Sequence, residues 1–175
     1  SVNYKSDMMR FYLDQLEHEY DIDFFEETKP LGTIGSVSLL KGEINTPFFV
    51  SNCDIIIEQD FRDVYDYHQS NRNELTIVTA VKSLRIPYGV IEAGEDGLLT
   101  GLIEKPETSY LINTGLYILN PDLIAEIPEG EFFHITDLIT KIRARSARVG
   151  CFPVSDNALR SEERRGGKEC RYRWS

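Results

Sequence analysis

Residues 47–54 are Pro-Phe-Phe-Val-Ser-Asn-Cys-Asp, an apolar run that passes directly into polar residues. A short continuous apolar run is typical of a strand that is buried on both faces of a parallel sheet. In open α/β sheets, ligands gather beyond the carboxyl ends of the strands. Asp54 is therefore the first candidate site residue, because a carboxylate at that edge can bind a hard cation such as Mg²⁺. The alternative is an Asp that only caps the following turn.

The segments around this strand alternate between strands and helices. Apolar residues at helical spacing predict three helices, which begin near Asp7, Phe61 and Thr136, with Asp7 and Thr136 as N-caps. Gly94–Gly97 is a hairpin turn by composition. Apolar and β-branched runs predict further strands at 22–25, 75–81, 88–91, 98–103, 111–119 and 149–154. This order predicts an α/β sandwich with a mostly parallel, mixed sheet.

Composition and charge exclude several classes of protein. The chain has 175 residues, of which 41% are hydrophobic, enough for one folded domain. Its net charge of −10 opposes binding to nucleic acids or anionic membranes. No apolar run approaches the ~20 residues of a membrane span, and three scattered cysteines do not suit a disulfide framework or a zinc site. We therefore expect a reduced, cytoplasmic protein without a nucleic-acid or membrane partner, and homo-oligomerisation stays open.

The last sixteen residues differ from the rest of the chain in charge and in hydrophobic pattern. Residues 160–175 carry six basic and three acidic side chains, so this segment is +3 while residues 1–159 are −13. The segment has no apolar periodicity with which to form a buried face. Its sequence, Arg-Ser-Glu-Glu-Arg-Arg followed by Lys-Glu-Cys-Arg, is similar to the translation of a common sequencing adapter. We therefore expect residues 160–175 to be a foreign tail, with a genuine solvated basic tail as the alternative.

Three further motifs bring polar chemistry to turns and strands. Residues 30–36, Pro-Leu-Gly-Thr-Ile-Gly-Ser, form a glycine-bearing turn whose backbone can approach a flat base or a phosphate closely. Glu104-Lys105-Pro106 ends the hairpin with a carboxylate, an ammonium group and a chain stop. Asn113 interrupts a predicted strand, where its amide needs hydrogen bonds from a hydroxyl-rich ligand or from the backbone. There is no Walker sequence and no Gly-x-Gly-x-x-Gly, so ordinary phosphate-loop and dinucleotide sites lose their main support.

The order of these pieces resembles the sugar-1-phosphate nucleotidyltransferases. The resemblance covers about residues 20–154 and is carried by Pro30-Leu31-Gly32-Thr33-Ile34-Gly35, Val50-Ser51-Asn52-Cys53-Asp54, Tyr88-Gly89-Val90, Glu104-Lys105-Pro106 and Asn113-Thr114-Gly115. It implies a Rossmann-like, three-layer α/β fold and the joining of a nucleoside triphosphate (NTP) to a sugar 1-phosphate with release of pyrophosphate. The mannose-1-phosphate guanylyltransferase-like branch is the most similar, so GTP is favoured as the nucleotide, with transfer of cytidylyl or thymidylyl groups as the alternatives.

The resemblance also implies roles for residues on the nucleotide side. Gly32 and Thr33 would contact the nucleobase through their backbone. Asp54 would be a catalytic residue that ligates the Mg²⁺ bridging the phosphates. This agrees with the charge of residues 1–159, because a domain carrying −13 needs a metal ion and a placed lysine to accept two polyanions.

On the sugar side, the resemblance implies four residues. The backbone at Gly89, the carboxylate of Glu104 and the amide of Asn113 would hold sugar hydroxyls. Lys105 would face the sugar phosphate and count with Asp54 as catalytic. Positioning and charge neutralisation would supply most of the rate of such a phosphoryl-type transfer.

The chain departs from the family pattern at both ends. A Gly-rich loop with Arg and Lys is expected before Ser1, and a second metal-binding Asp is expected after Asn157, for which Asp156 sits too early. We therefore expect residues 1–159 to be a partial nucleotidyltransferase domain with little or no turnover. The alternatives are a sugar-phosphate or nucleotide sensor that binds without catalysis, and an α/β scaffold that retains no site.

Overall fold

The structure is a computed structural model that describes residues 1–2, 5–16, 20–155 and 158–161. The described α-helices are α1 (Ser6–Asp14), α2 (Phe61–Ser70) and α3 (Ile135–Ala144), and 3₁₀ helices cover Gly35–Leu40 and Pro121–Glu126. The described strands are β1 (Phe48–Ser51), β2 (Ile55–Ile57), β3 (Leu75–Arg85), β4 (Val90–Ala93), β5 (Leu99–Ile103), β6 (Glu107–Leu119), β7 (Val149–Val154) and β8 (Leu159–Ser161).

The predicted helices are confirmed, but their caps differ from the prediction. Helix α2 begins after Asp60, whose Oδ1 accepts a hydrogen bond from the backbone N–H of Arg62 at 2.8 Å. Helix α3 buries Ile135, Leu138 and Ile142, which recur at the spacing of one helical face. Its N-cap is His134 rather than Thr136, and the N-cap of α1 is Lys5 rather than Asp7.

The main sheet has four strands in the order β1-β6-β3-β7. Strands β3 and β6 run antiparallel, since Asn120 N–H donates to Glu74 C=O and Ile86 N–H donates to Pro106 C=O. Strands β3 and β7 run parallel, since Glu74 N–H donates to Arg148 C=O and the Thr79 hydroxyl donates to Phe152 C=O. The α/β class with a mixed sheet is therefore confirmed.

Two smaller sheets complete the described strands. Strands β4 and β5 form the predicted antiparallel hairpin, with Val90 opposite Ile103 and Glu92 opposite Gly101. Strand β2 pairs antiparallel with β8, and Ile56 lies opposite Arg160. The first two residues of the predicted foreign tail thus pair with β2. Residues 162–175 lie outside the described residues, so the domain boundary at residue 160 stays a prediction.

The chain divides into two compact units. One unit comprises Ser1–Phe49, Arg72–Leu75 and Ile118–Val149, and the other comprises Val50–Asn71, Thr76–Tyr117 and the described residues from Gly150 onward. The core of the first unit includes fully buried Ile34 and Leu138. The core of the second unit is formed by apolar residues of α2, β3 and β6, among them Val64, Val78, Ala80, Leu116 and Tyr117.

Two predicted elements were wrong in detail. Residues 22–25 do not form a strand, and the nearest pairing is a single bridge between Val2 and Glu26. Strand β1 is not buried on both faces, because its residues alternate between half-buried and exposed. Strand β2, which follows Asp54 directly, was not predicted. Within the described residues, no helix is long and apolar enough to span a membrane.

Candidate functional site

The glycine turn of the first unit packs tightly on the backbone around Phe133. Gly32 has φ +78°, and a Cβ at this position would lie 2.6 Å from the carbonyl oxygen of Phe133. Two hydrogen bonds hold the segments together, from Ile34 N–H to Phe133 C=O at 3.2 Å and from Phe133 N–H to Leu31 C=O at 3.0 Å. Glycine is thus required at position 32, because any side chain there would clash with the backbone of Phe133.

Thr33, the other predicted nucleobase residue, joins this turn to the start of α3. Its Oγ1 accepts a hydrogen bond from Ile135 N–H at 2.9 Å and lies 3.4 Å from Nδ1 of His134. The Thr33 side chain therefore satisfies a backbone donor of the first helical turn. Among the described residues, nothing accepts a hydrogen bond from the backbone N–H of Gly32 or Thr33. The turn can thus offer backbone donors to a ligand.

Asp54 lies in the turn between β1 and β2, where its side chain is exposed. In the described part of the chain, its carboxylate has no hydrogen-bond or ion-pair partner, so it does not serve as the turn cap that was the alternative. No cluster of three or more metal-ligating side chains occurs among the described residues. One free carboxylate fits Mg²⁺, which takes one or two carboxylates and completes its shell with phosphate oxygens and water.

The β4–β5 hairpin brings three of the predicted sugar-phosphate residues together. Because Val90 pairs with Ile103, Gly89 and Glu104 follow as the next opposed positions. Glu104 Oε2 lies 3.0 Å from the point that a Cβ on Gly89 would occupy. Lys105 has φ +46°, and its Nζ lies 3.9 Å from Glu104 Oε1. A carboxylate and an ammonium group are thus exposed side by side next to bare backbone.

Asn113, the fourth predicted sugar residue, has both ends of its amide bonded within the protein. Its Oδ1 accepts a hydrogen bond from Gly115 N–H at 3.1 Å, and its Nδ2 donates to the hydroxyl of Tyr117. The protein itself therefore supplies some of the hydrogen bonds of this amide, as the alternative to a ligand predicted. One donor and one acceptor position of the amide remain for a ligand.

Asn52 connects the end of β1 to this part of β6. The backbone N–H of Asn52 donates a hydrogen bond to the backbone C=O of Gly115 at 2.9 Å. Gly115 has φ +88°, and a Cβ there would lie 2.7 Å from Nδ2 of Asn52, so the Asn52 amide occupies the space that a side chain would need. Asp54 follows Asn52 by two residues, so the same contact ties the candidate metal ligand to the strand that carries Asn113.

Sequence reasoning missed Asn52 and Tyr117, which contact Gly115 and Asn113 in the second unit, and Phe133, which contacts the glycine turn in the first unit. The signal for Asn52 was its place between an apolar strand and Asp54. Tyr117 lies four residues after Asn113 in the same strand, the spacing of two side chains on one face. For Phe133 there was no local signal, since its backbone meets the glycine turn across a long separation in sequence. Asp156 lies outside the described residues.

Among the described residues, Tyr117 and an ion-pair network of the first unit have shifted pKa values. Burial raises the pKa of Tyr117, and the hydrogen bond from Asn113 acts in the opposite direction. The hydrogen bond from Arg145 lowers the pKa of Glu74, and that from Lys141 lowers the pKa of Glu126. The network contains none of the predicted site residues.

A family model described as Nucleotidyl transferase matches residues 1–174. The chain belongs to the nucleotidyl transferase family. The predicted resemblance is thereby confirmed. Mannose-1-phosphate guanyltransferase 2 of Candida glabrata is 39% identical to this nucleotidyl transferase chain over 133 residues, which are 71% of the chain and 37% of the relative. Mannose-1-phosphate guanyltransferase of Saccharomyces cerevisiae is 38% identical over the same length, with the same coverage.

Solved structures show the same fold. The crystal structure of HddC from Yersinia pseudotuberculosis superposes with a TM-score of 0.65 at 21% identity, over 91% of this nucleotidyl transferase chain and 69% of that chain. HddC complexed with GMP-PN gives a TM-score of 0.62 at 23% identity, over 88% and 68% of the two chains. The chain spans 37% of the length of the first two curated relatives.

Proposed function

We propose that the protein transfers a nucleotidyl group from an NTP, with GTP favoured, to a sugar 1-phosphate. The observation that carries this proposal is the 38–39% identity, over 133 residues, to proteins named mannose-1-phosphate guanyltransferases. The reaction is an in-line displacement. A phosphate oxygen of the sugar 1-phosphate attacks the α-phosphorus, a new P–O bond forms, the α–β P–O bond breaks and pyrophosphate leaves.

Asp54 is proposed to hold Mg²⁺ against the phosphates. Its support is a carboxylate that is exposed at the end of β1 and unpaired among the described residues. When bound, Mg²⁺ neutralises phosphate charge and supports the transfer as a Lewis acid. Asp54 itself contributes a fixed negative ligand, which orients the ion relative to β1. The strongly negative chain otherwise repels both reactants.

Gly89, Glu104, Lys105 and Asn113 are proposed to bind the sugar 1-phosphate. The close approach of Glu104 to Gly89 places a carboxylate acceptor next to backbone, a combination that suits neighbouring sugar hydroxyls. The Lys105 ammonium, 3.9 Å from Glu104, is exposed and can pair with the sugar phosphate. The Asn113 amide retains one donor and one acceptor position for further hydroxyls.

Gly32 and Thr33 are proposed to bind the nucleobase through their backbone. The support is that their N–H groups have no acceptor among the described residues while the turn itself is held firmly against Phe133. A rigid turn with unused donors is pre-organised for a planar ligand, because little entropy is lost when the ligand binds.

The experiment is a matrix of nucleotides against sugar 1-phosphates. GTP, ATP, CTP and dTTP are each combined with mannose 1-phosphate or glucose 1-phosphate, and pyrophosphate release and binding by calorimetry are measured in parallel. We expect pyrophosphate release with Mg²⁺, highest with GTP. Binding of both reactants without release would instead favour the non-catalytic sensor, and binding of neither would contradict the proposal.

The assignment of Lys105 is tested with the same assay. Lys105→Ala should weaken use of the sugar 1-phosphate far more than it weakens NTP binding, because the ammonium group pairs with only one of the two substrates. Equal losses for both substrates would contradict the assignment.

A further inference from the structure

Tyr117 is a buried neighbour of the candidate sugar residue Asn113. The residue is 2% exposed. Side chains along a strand alternate between faces, so Asn113, Gly115 and Tyr117 are positions of the same face. Asn113 Nδ2 donates a hydrogen bond to the Tyr117 hydroxyl, and Asn113 Oδ1 accepts one from the N–H of the intervening Gly115. Tyr117 is thus buried, but it contacts Asn113, a residue of the proposed sugar site.

The hydrogen bonds fix which way the Asn113 amide points. Gly115 N–H can only donate, so the amide atom 3.1 Å from it is the oxygen, Oδ1. Nδ2 then faces Tyr117, whose hydroxyl oxygen accepts. Both ends of the amide are held, and the amide lies on an exposed residue. It therefore presents one N–H and one oxygen lone pair outward in a single orientation.

We propose that Tyr117 is a positioning residue for the sugar 1-phosphate, which it serves by holding the Asn113 amide in this orientation. The inference rests on the proposed function and assigns a role in it to a residue without substrate contact. An outward donor and acceptor on one rigid amide match two neighbouring hydroxyls of a sugar. Without the Tyr117 hydroxyl, the amide can rotate, and binding of the sugar must restrict that rotation.

The chemistry of the Tyr117 hydroxyl suits this role. Burial raises its pKa above the usual value of 10.0, so the group is neutral at physiological pH. A neutral hydroxyl accepts from Nδ2 without competing for the Mg²⁺ that we propose at Asp54. Tyr117→Phe removes only this oxygen and keeps the ring that fills the core.

The experiment compares Tyr117→Phe with Tyr67→Phe in calorimetric titrations with mannose 1-phosphate and with GTP. Tyr67 is the matched control, because its hydroxyl also makes one hydrogen bond in the same unit, to Cys151 C=O at 3.0 Å. We expect Tyr117→Phe to weaken mannose 1-phosphate binding about tenfold and to leave GTP binding unchanged. Tyr67→Phe should change neither. In turnover assays the same pattern should appear as a raised KM for the sugar 1-phosphate only.

A double-mutant cycle tests whether Tyr117 acts through Asn113. If it does, Tyr117→Phe has no further effect on mannose 1-phosphate binding once Asn113→Ala is present. Additive losses, equal losses for both ligands, or no loss in Tyr117→Phe would overturn the inference while leaving the proposed function intact. If the unsubstituted protein neither binds mannose 1-phosphate nor releases pyrophosphate with any sugar 1-phosphate, the proposed function fails and the inference fails with it.

Discussion

The carboxylate of Glu104 lies against Gly89, with Oε2 3.0 Å from the point that a Cβ on Gly89 would occupy. The β4–β5 register brings the two residues together, since Val90 pairs with Ile103 one step away. A second pair in the same hairpin has the same geometry, because a Cβ on Gly101 would lie 2.7 Å from Glu92 Oε2. Only the first pair belongs to the proposed sugar site.

Gly89→Ala should therefore displace the Glu104 carboxylate and weaken use of the sugar 1-phosphate. The flexible carboxylate can move away from the new methyl group, so folding stability should change little, while KM for the sugar 1-phosphate should rise roughly tenfold. Steady-state kinetics with both substrates measure this. Gly101→Ala is the matched control and should leave KM unchanged. An equal rise in both variants would show that the hairpin as a whole, and not Glu104, sets the KM.

Gly32→Ala should destabilise the protein more than Gly42→Ala does. Both glycines have left-handed φ values, +78° and +86°, which cost an L-residue about 1–2 kcal/mol. A methyl group at Gly32 also meets the Phe133 carbonyl oxygen at 2.6 Å, whereas nothing lies within 4 Å at Gly42. We expect a loss of about 1 kcal/mol for Gly42→Ala and about 3 kcal/mol for Gly32→Ala.

Urea unfolding of the two alanine variants measures this difference. Equal losses would mean that the turn is not packed against Phe133. The pair thus separates the cost of the φ angle from that of the backbone contact.

The stability contributed by Arg145 should depend on pH. Its Nη2 lies 2.6 Å from Glu74 Oε2, and this contact holds the pKa of Glu74 below its usual value of 4.5. A carboxyl whose pKa is lower in the folded state stabilises the fold above its unfolded pKa, and this stabilisation is lost as pH falls through the folded pKa. Arg145→Gln should therefore lower Tm at pH 7 by at most a few degrees and have a smaller effect below pH 4.

Thermal unfolding at pH 7 and at pH 3.5 measures the Arg145 effect. Arg143→Gln, in the last turn of α3 two residues before Arg145, is the control and should show no such pH dependence. A difference for Arg145→Gln that stays constant between the two pH values would contradict the role of Glu74.

Much of the fold followed from local sequence, and the exceptions have physical causes. The β4–β5 hairpin was predicted because two apolar segments flank Gly94–Gly97, and its register then brought Gly89 to Glu104. The strand at 22–25 was wrong because a short apolar run forms a strand only where a partner edge is available. Strand β2 was missed because its partner, β8, lies about a hundred residues away in sequence.

The site was predicted less completely than the fold. Three charged residues could be predicted because they lie at strand ends within motifs that resemble those of the family, namely Asp54, Glu104 and Lys105. The bonds that hold Asn113 could not be predicted, since they need the backbone N–H of Gly115 and the buried hydroxyl of Tyr117 together. Likewise, the close contact between Gly32 and the Phe133 backbone could not be predicted, since the two residues meet only in the folded chain.

The most direct test of the central claim is the Mg²⁺ dependence of pyrophosphate release in Asp54→Asn. Asp66→Asn is the control, because Asp66 is also exposed and unpaired among the described residues of the same unit. Both variants should fold normally. We predict that Asp54→Asn lowers kcat at least about a hundredfold at a fixed Mg²⁺ concentration, while Asp66→Asn retains full activity. Undiminished, Mg²⁺-dependent activity in Asp54→Asn would contradict the account.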